Sequence, residues 1–173
     1  SYCQKVLTAL YENSTPFGQR MLAPDEAKTA EEFATLWPLK RMPLLRDGKR
    51  TVVESSIIIE YLDLHYPGPA RLIPADPGAA LEVRLLDRVF DNYVQTPMQK
   101  IVTDRLRAEA DRDGFGVAEA RAMLDTAYAW LDRQLAGHRW AAGDAFSLAD
   151  CAAAPALFYA DWAHPIPTSR ANV

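Results

Sequence analysis

Residues 39–56 read LKRMPLLRDGKRTVVESS, and this stretch decides the fold of the N-terminal part of the chain. Two short β-like runs, residues 43–46 and 51–53, flank the dipeptide Asp47-Gly48. Asp-Gly between apolar runs favours a tight hairpin turn. The stretch therefore predicts an antiparallel β-hairpin with its turn at Asp47-Gly48.

A helix is predicted directly after the hairpin, because apolar and aromatic residues recur at spacings of three and four through residues 57–65. Ser55 or Ser56 is expected to cap its start. If Ser55 is the cap, the third helical position is Ile58, so no Glu or Gln side chain folds back onto the first turn. The open end of the helix then attracts a carboxylate, and Glu54 can receive an ammonium group. That pair suits an α-amino acid group, although a plain helix cap explains the same residues without any ligand.

Pro43 opens the first β-like run, where it cannot donate a hydrogen bond to a strand ladder. In the cis form, the Met42–Pro43 bond would turn the N–H and C=O of Met42 sideways towards a peptide-like ligand. Together with Glu54-Ser55, this geometry predicts a cradle for a short peptide.

The other N-terminal residues predict two helices and one more strand. The helices are expected at residues 3–12 and 25–36, and the short run at residues 17–22 lies between them. With the hairpin and the helix after it, this half has the order αβα-ββα.

Four prolines between residues 66 and 78 prevent regular structure and predict a linker at residues 67–78. The domains on either side are then residues 1–66 and residues 79–173. The first is of the α/β class and the second is all-α.

The C-terminal domain predicts three helices. The first runs from residue 79 to about residue 107, with a kink at Pro97, and the second runs from about residue 117 to residue 135. Ser147 is expected to cap the third helix, with Asp150 at its third position in a variant of the capping box.

Composition excludes several classes of function. The 173 residues carry 19 Lys and Arg against 23 Asp and Glu, a net charge of −4, and no basic stripe, so nucleic acid is not expected as a partner. No apolar run approaches the roughly 20 residues that span a membrane. Cys3 and Cys151 match no disulfide or metal-ligand spacing, so we expect no metal, and a reducing compartment such as the cytoplasm. No secretory signal is visible at the start of the chain.

Over essentially its whole length, the chain resembles the glutathione S-transferase family, in particular bacterial members whose first motif begins with Ser or Cys. Three motifs carry the resemblance: Ser1-Tyr2-Cys3-Gln4-Lys5-Val6, then Arg41-Met42-Pro43 with Glu54-Ser55, then Phe146-Ser147-Leu148-Ala149-Asp150. The resemblance implies a thioredoxin-like domain, an all-helical domain, a homodimer, and glutathione as the co-substrate. The family's first strand and most of its last helical region are absent, so the chain is expected to be truncated at both ends.

The same resemblance implies roles for the residues of the second motif. The backbone of Met42, before Pro43, would pair with the cysteinyl part of glutathione. Glu54 and Ser55 would hold the γ-glutamyl end, and Arg41 would lie near the glycyl end. The chain departs from the usual pattern at Trp37, Lys40 and Met42, where Asn, Gly and Val are common.

Ser1, or the residue just upstream of it, stands at the family's activating position. Such a residue is needed because the thiolate is the nucleophile, and a free thiol with a pKa of about 8.5 is only slightly ionised at neutral pH. Lowering this pKa by roughly two units costs about 2.7 kcal/mol. One hydrogen bond to the charged sulfur, worth ~1.5–3 kcal/mol, nearly supplies this amount.

Cys3 has two interpretations. In the first turn of a helix its thiolate character would be raised, which permits a mixed disulfide with glutathione. Alternatively, it is a small apolar residue that packs the helix. Tyr93 and Met98, at the predicted kink, are candidates for the pocket of the second substrate, but such side chains are also common in cores.

The leading hypothesis is therefore a glutathione transferase that conjugates the glutathione thiolate to a small hydrophobic electrophile. One alternative is a binding or scaffold protein with this fold and no turnover. Another is a thiol transferase that depends on Cys3.

Overall fold

The computed structural model describes residues 1–23 and 25–173. They divide into two compact units, residues 2–72 and residues 73–173, and Ser1 groups with the second unit. The first unit contains α1 (Tyr2–Glu12), α2 (Ala27–Leu36), β1 (Leu44–Asp47), β2 (Arg50–Val53) and α3 (Ser55–His65). The second contains α4 (Pro77–Val89), a π-helical segment (Phe90–Gln95), α5 (Thr96–Arg105), a 3-10 turn (Glu109–Asp111), α6 (Gly114–Gln134) and α7 (Leu148–Ala163).

β1 and β2 form the predicted antiparallel hairpin, but its turn lies one residue later than expected. Asp47 pairs with Arg50, so the loop consists of Gly48 and Lys49. Gly48 has a φ of +57°, a conformation that glycine adopts without the steric cost of a Cβ atom. The turn therefore centres on Gly48, and Asp47 stays in the ladder.

Residues 17–22, predicted as a strand, have no regular secondary structure. In the described part of the chain the sheet consists of β1 and β2 alone. The prediction was wrong because a strand needs a neighbour for its backbone N–H and C=O groups, and this segment pairs with neither strand. Phe17, Met21 and Leu22 consequently remain 36%, 65% and 36% exposed.

A polar cluster fastens the end of α3 to the hairpin. The hydroxyls of Tyr61 and Tyr66 both donate to Oδ2 of Asp47, at 2.7 and 2.6 Å. The guanidinium of Arg50 lies 5.1 Å from the centre of the Tyr61 ring, within cation–π range. The cluster thus joins β1, β2 and α3 at the turn end of the hairpin.

Removing both hydroxyls should change the titration of Asp47. Hydrogen bonds from Tyr66 and Tyr61 hold the pKa of this carboxyl below its ordinary value. A carboxyl with a lowered folded-state pKa adds stability above its unfolded-state pKa and loses that contribution as the pH falls through the folded-state pKa. In the double variant Tyr61→Phe, Tyr66→Phe, we expect the Asp47 midpoint to rise and the acid-dependent loss of stability to shrink.

Carboxyl-carbon NMR titration measures this midpoint directly. Asp113 provides an internal control, because a hydrogen bond from Lys100 lowers its pKa in the other unit. An Asp47 midpoint that stays low in the double variant, with Asp113 unchanged, would contradict the assignment.

The first helix of the second unit begins two residues before its predicted start at residue 79. Pro77 is the first residue of α4, and Oδ1 of Asp76 accepts a hydrogen bond from the N–H of Ala79 at 2.8 Å. Proline fits the first helical position because no intrahelical acceptor is available there for an N–H. Asp76 is therefore the N-cap of α4.

The predicted kink near Pro97 takes the form of a π-helical segment. Residues Phe90–Gln95 form this segment directly before α5. The hydroxyl of Thr96 donates to the carbonyl of Asp91 at 2.9 Å, across the widened turn. A short π-helical stretch is one of the recognised causes of a kink in a long helix.

α7 is the best-buried helix of the second unit, and its start confirms the predicted capping box. Oδ2 of Asp150 accepts from the N–H of Ser147 at 2.9 Å, and Oγ of Ser147 accepts from the N–H of Ala149 at 3.3 Å. Oδ1 of Asp150 also accepts from the N–H of Ala141 at 2.7 Å. Cys151 is fully buried next to this box, as predicted for a core residue.

None of the helices within residues 1–23 and 25–173 combines the length and the apolar character that crossing a membrane requires. Over the same residues, no group of three or more His, Cys, Asp and Glu side chains is arranged to hold a metal ion.

Candidate functional site

The hairpin register brings the two predicted binding motifs to one end of the sheet. Leu44 pairs with Val53, so Pro43 and Glu54 are the residues immediately outside the ladder, on opposite strands. Arg41 and Met42 lie directly before Pro43. Motifs that the sequence relates only by spacing are thus adjacent in space.

On the Met42 side of this site, the residues are open to solvent. The Met42–Pro43 peptide bond is cis, the form on which the predicted cradle depends. Met42 is 54% exposed, and Lys40 and Arg41 are also exposed. Lys40 has a φ of +51°, in the left-handed region. A ligand therefore has access to residues 40–42.

On the other side, Glu54 takes the position predicted for a serine. Neither Ser55 nor Ser56 caps α3; Glu54 is the N-cap, and its carbonyl accepts from the N–H of Ile58 at 2.8 Å. Ser55 is the first helical residue and is only 6% exposed. Because the hairpin ends at Val53, the chain must turn into α3 within a single residue. The prediction of a serine cap was therefore wrong.

Glu54 makes this turn in a conformation that few side chains adopt. Its φ is +69° and its ψ is +117°, outside the usual left-handed helical well. A non-glycine residue held in such a region costs on the order of 1–3 kcal/mol and is typical of functional sites. Within the described residues, the Glu54 side chain makes no capping hydrogen bond. The exposed carboxylate and the positive end of the α3 dipole are thus side by side.

Lys5, which was not among the predicted site residues, also belongs to this region. It is 1% exposed, and its Nζ donates to Oγ of Ser56 at 2.9 Å. This bond fixes the first turns of α1 and α3 against each other. The available signal was its position one helical turn before Ala9, on the buried face of α1.

Ser1 and Cys3 lie at the start of α1. Ser1 is partly exposed, directly before the helix, and Cys3 is partly buried in its first turn. Burial raises the pKa of the Cys3 thiol. Desolvation therefore disfavours the Cys3 thiolate, which favours the packing interpretation, and thiol transfer at Cys3 stays a prediction.

Tyr93 and Met98 differ in their surroundings. Tyr93, in the π-helical segment, is 48% exposed, whereas Met98, in α5, is 4% exposed and belongs to the core. Tyr93 is accessible to a second substrate and Met98 is not exposed on the surface. A role in the pocket of the second substrate stays a prediction for both.

Comparison with known families gives two matches. The profile described as glutathione S-transferase, N-terminal domain, matches residues 1–70, and the profile described as glutathione S-transferase, C-terminal domain, matches residues 107–168. Together they cover most of both units and include all of the candidate residues except Tyr93 and Met98.

Curated relatives include both transferases and an isomerase. Maleylacetoacetate isomerase of Mus musculus is 29% identical over 133 residues, which are 76% of this chain and 59% of the mouse protein. Glutathione S-transferase GstB of Escherichia coli (strain K12) is 27% identical over 159 residues, 90% of this chain and 76% of that protein. The chain thus spans about three fifths of the length of the mouse relative.

Solved structures share the fold. A glutathione S-transferase from Methylobacterium radiotolerans, in complex with glutathione sulfonate, is 32% identical, with a TM-score of 0.78 over 91% of this chain and 73% of that chain. One from Methylobacillus flagellatus, with GSH bound, is 27% identical, with a TM-score of 0.82 over 93% and 78%. These structures confirm the predicted fold class, a thioredoxin-like domain followed by an all-helical domain.

Proposed function

Since this chain belongs to the glutathione S-transferase family, we propose that it binds glutathione at the Met42–Ser55 end of the hairpin and transfers it to a small hydrophobic electrophile. The backbone of Met42 pairs with the cysteinyl part of glutathione. Glu54 and Ser55 hold its γ-glutamyl end, and Arg41 lies near its glycyl carboxylate.

One observation carries the proposal. The Leu44–Val53 pair holds residues 41–43 and Glu54 together at the end of the hairpin, where α3 begins. A γ-glutamyl group has an ammonium and a carboxylate on one carbon. The exposed Glu54 carboxylate complements the ammonium, and the positive end of α3 complements the carboxylate.

The reaction is a nucleophilic transfer. The hydroxyl of Ser1, or of the residue just upstream, donates a hydrogen bond to the glutathione sulfur and stabilises its thiolate, and the thiol proton leaves to solvent. A sulfur lone pair forms the new C–S bond, and a leaving group such as halide departs with its bonding pair. Glutathione is the co-substrate, and the step needs no metal.

A second candidate reaction comes from the relatives. The mouse and rat proteins, 29% and 28% identical over 76% of this chain, are named maleylacetoacetate isomerase. Isomerisation of such a substrate is therefore an alternative to conjugation at the same site. The proposal also includes a homodimer, which the family resemblance implies, and a cytoplasmic location, which the cysteine pattern favours. Sedimentation velocity measures the oligomeric state.

Two assays test the proposed function. Isothermal titration with glutathione is expected to show binding, and 1-chloro-2,4-dinitrobenzene is expected to be conjugated in the presence of glutathione. Binding of glutathione with neither conjugation of this halide nor isomerisation of maleylacetoacetate would favour a scaffold protein. No binding at millimolar glutathione would contradict the site itself.

The variant Cys3→Ala separates conjugation from thiol transfer. Because burial raises the pKa of the Cys3 thiol, we expect conjugation to stay within about twofold of the unmodified chain, a difference of under ~0.5 kcal/mol. Cys151→Ala, which removes the buried cysteine of α7, is the matched control. Loss of activity in Cys3→Ala alone would establish the thiol-transferase alternative.

A further inference from the structure

The start of α3 is bonded to a neighbouring helix rather than capped by its own side chain. In the part of the chain that the structure describes, the side chain of the N-cap residue, Glu54, makes no bond to the first turn. The first turn is instead bonded to α1, where Nζ of Lys5 donates to Oγ of Ser56 at 2.9 Å. Ser56 is the second residue of α3, so this bond reaches the helix two residues after Glu54.

Lys5 is an unusual residue for a fully buried position. It is 1% exposed and shares the buried face of α1 with Val6 and Ala9. Lysine is rarely buried to this extent, and where it is, its ammonium group is paired. A methionine of similar length would fill such a space without the loss of hydration. Packing alone therefore does not explain the ammonium group, which contacts the first turn of α3.

The backbone of Glu54 needs a contact of this kind. Its φ of +69° lies outside the conformations that a glutamate ordinarily adopts. A strained residue keeps such a conformation only where the surrounding structure holds it. On one side Glu54 is held by the hairpin, which ends at Val53. On the other side it is held by the first turn of α3, to which Lys5 is bonded. Release of that turn would allow Glu54 to move and relieve its strain.

We propose that Lys5 is a positioning residue for glutathione binding. Through Ser56 it fixes the first turn of α3, and it thereby keeps the Glu54 carboxylate directed at the γ-glutamyl ammonium. This role rests on the proposed function, because it concerns the same γ-glutamyl contact. Lys5 is buried, whereas Glu54 is exposed. The contact with the ligand therefore belongs to Glu54, and the lysine acts only through the backbone that carries it.

The test measures how strongly the chain prefers glutathione to deaminated glutathione, an analogue that lacks the γ-glutamyl amino group. The two ligands differ only in the group that Glu54 is proposed to bind, so the ratio of their dissociation constants reports on the position of this carboxylate. By isothermal titration, we expect the unmodified chain to bind glutathione at least about tenfold more tightly than the analogue. Lys5→Met should lower this ratio at least about fivefold, since it releases the first turn of α3.

Ser56→Ala tests the same contact from the other helix. It removes the hydroxyl that accepts the bond, so it should lower the ratio by a similar factor. Ser56 is only partly buried, so this variant remains available even if Lys5→Met does not fold. Because both changes break one contact, the double variant should lower the ratio no further than the larger single effect. Lys49→Met is the matched control, since it removes an ammonium group from the exposed loop at the far end of the hairpin and should leave the ratio unchanged.

A lysine that serves stability alone would lower the free energy of unfolding, measured in urea, without changing the ratio in the folded chain. An unchanged ratio in both Lys5→Met and Ser56→Ala, or additive effects in the double variant, would overturn the positioning role. Glu54→Gln separates this failure from a failure of the site, because it should lower the ratio whether or not Lys5 acts on Glu54. If the unmodified chain does not prefer glutathione and Glu54→Gln changes nothing, the γ-glutamyl assignment fails, and the positioning role fails with it.

Discussion

Glu54→Gln is expected to weaken glutathione binding about tenfold to a hundredfold, while the chain stays folded. Its carboxylate is exposed and makes no capping hydrogen bond within the described residues, so the variant loses no structural bond. Under the proposed function, the lost contact is a charge-assisted hydrogen bond to the γ-glutamyl ammonium, worth ~1.5–3 kcal/mol. Isothermal titration measures the change.

Glu12→Gln is the matched control, since Glu12 is exposed at the end of α1, away from the site. Glu54→Gly distinguishes the contribution of the side chain from that of the backbone conformation. Glycine relieves the strain of a φ of +69°, so this variant should bind weakly and yet resist denaturation at least as well as the parent. Unchanged binding in both Glu54 variants would remove the γ-glutamyl assignment.

Ser55 tests the neighbouring contact. Ser55→Ala should weaken glutathione binding by about 1–3 kcal/mol, because the hydroxyl at the first position of α3 is expected to bind the γ-glutamyl carboxylate. The effects of Glu54→Gln and Ser55→Ala report on the ammonium and the carboxylate of the γ-glutamyl group, respectively. Loss in one variant without the other would mean that the ligand is anchored at only one end of this group.

The sequence predicted the features that depend on neighbouring residues. The hairpin, the helices and the capping box at Ser147 and Asp150 are encoded in short patterns of turn, apolar and polar residues. The turn was misplaced by one residue because Asp-Gly marks the site of a turn, whereas the strand register decides which of the two residues lies in the loop.

The errors lie where local pattern competes with chain geometry. Ser55 has the better capping side chain, but α3 starts one residue earlier, because the strand runs to Val53 and Glu54 alone makes the turn. Residues 17–22 have a strand-like composition, yet composition cannot supply a partner strand. Lys5 was missed because no residue near it in the sequence indicates that its ammonium group donates to the hydroxyl of Ser56.

The candidate site was predictable as a set of residues but not as a geometry. Spacing alone relates Met42-Pro43 to Glu54-Ser55, and the Leu44–Val53 pair converts that spacing into proximity. The unusual backbone of Glu54 has no sequence signature, since a non-glycine residue at positive φ is held there by its surroundings. The site thus depends on the hairpin more than on any single side chain.

Asp150→Ala is expected to destabilise the helical unit by about 3–5 kcal/mol, an unusually large effect for one substitution. The Asp150 carboxylate accepts from the N–H and Oγ of Ser147 and from the N–H of Ala141, and all three bonds are buried. Alanine leaves two backbone donors buried without an acceptor, each at a cost of about 1–3 kcal/mol. Urea denaturation followed by circular dichroism gives the difference.

Asp76→Ala supplies the comparison, because Asp76 caps α4 through one exposed hydrogen bond to Ala79. Loss of such a cap costs about 1 kcal/mol, since water replaces the carboxylate. The larger effect at Asp150 therefore measures burial rather than capping itself. If the two variants lose equal stability, the bond to Ala141 does not hold the preceding loop against α7, and the capping box acts on its helix alone.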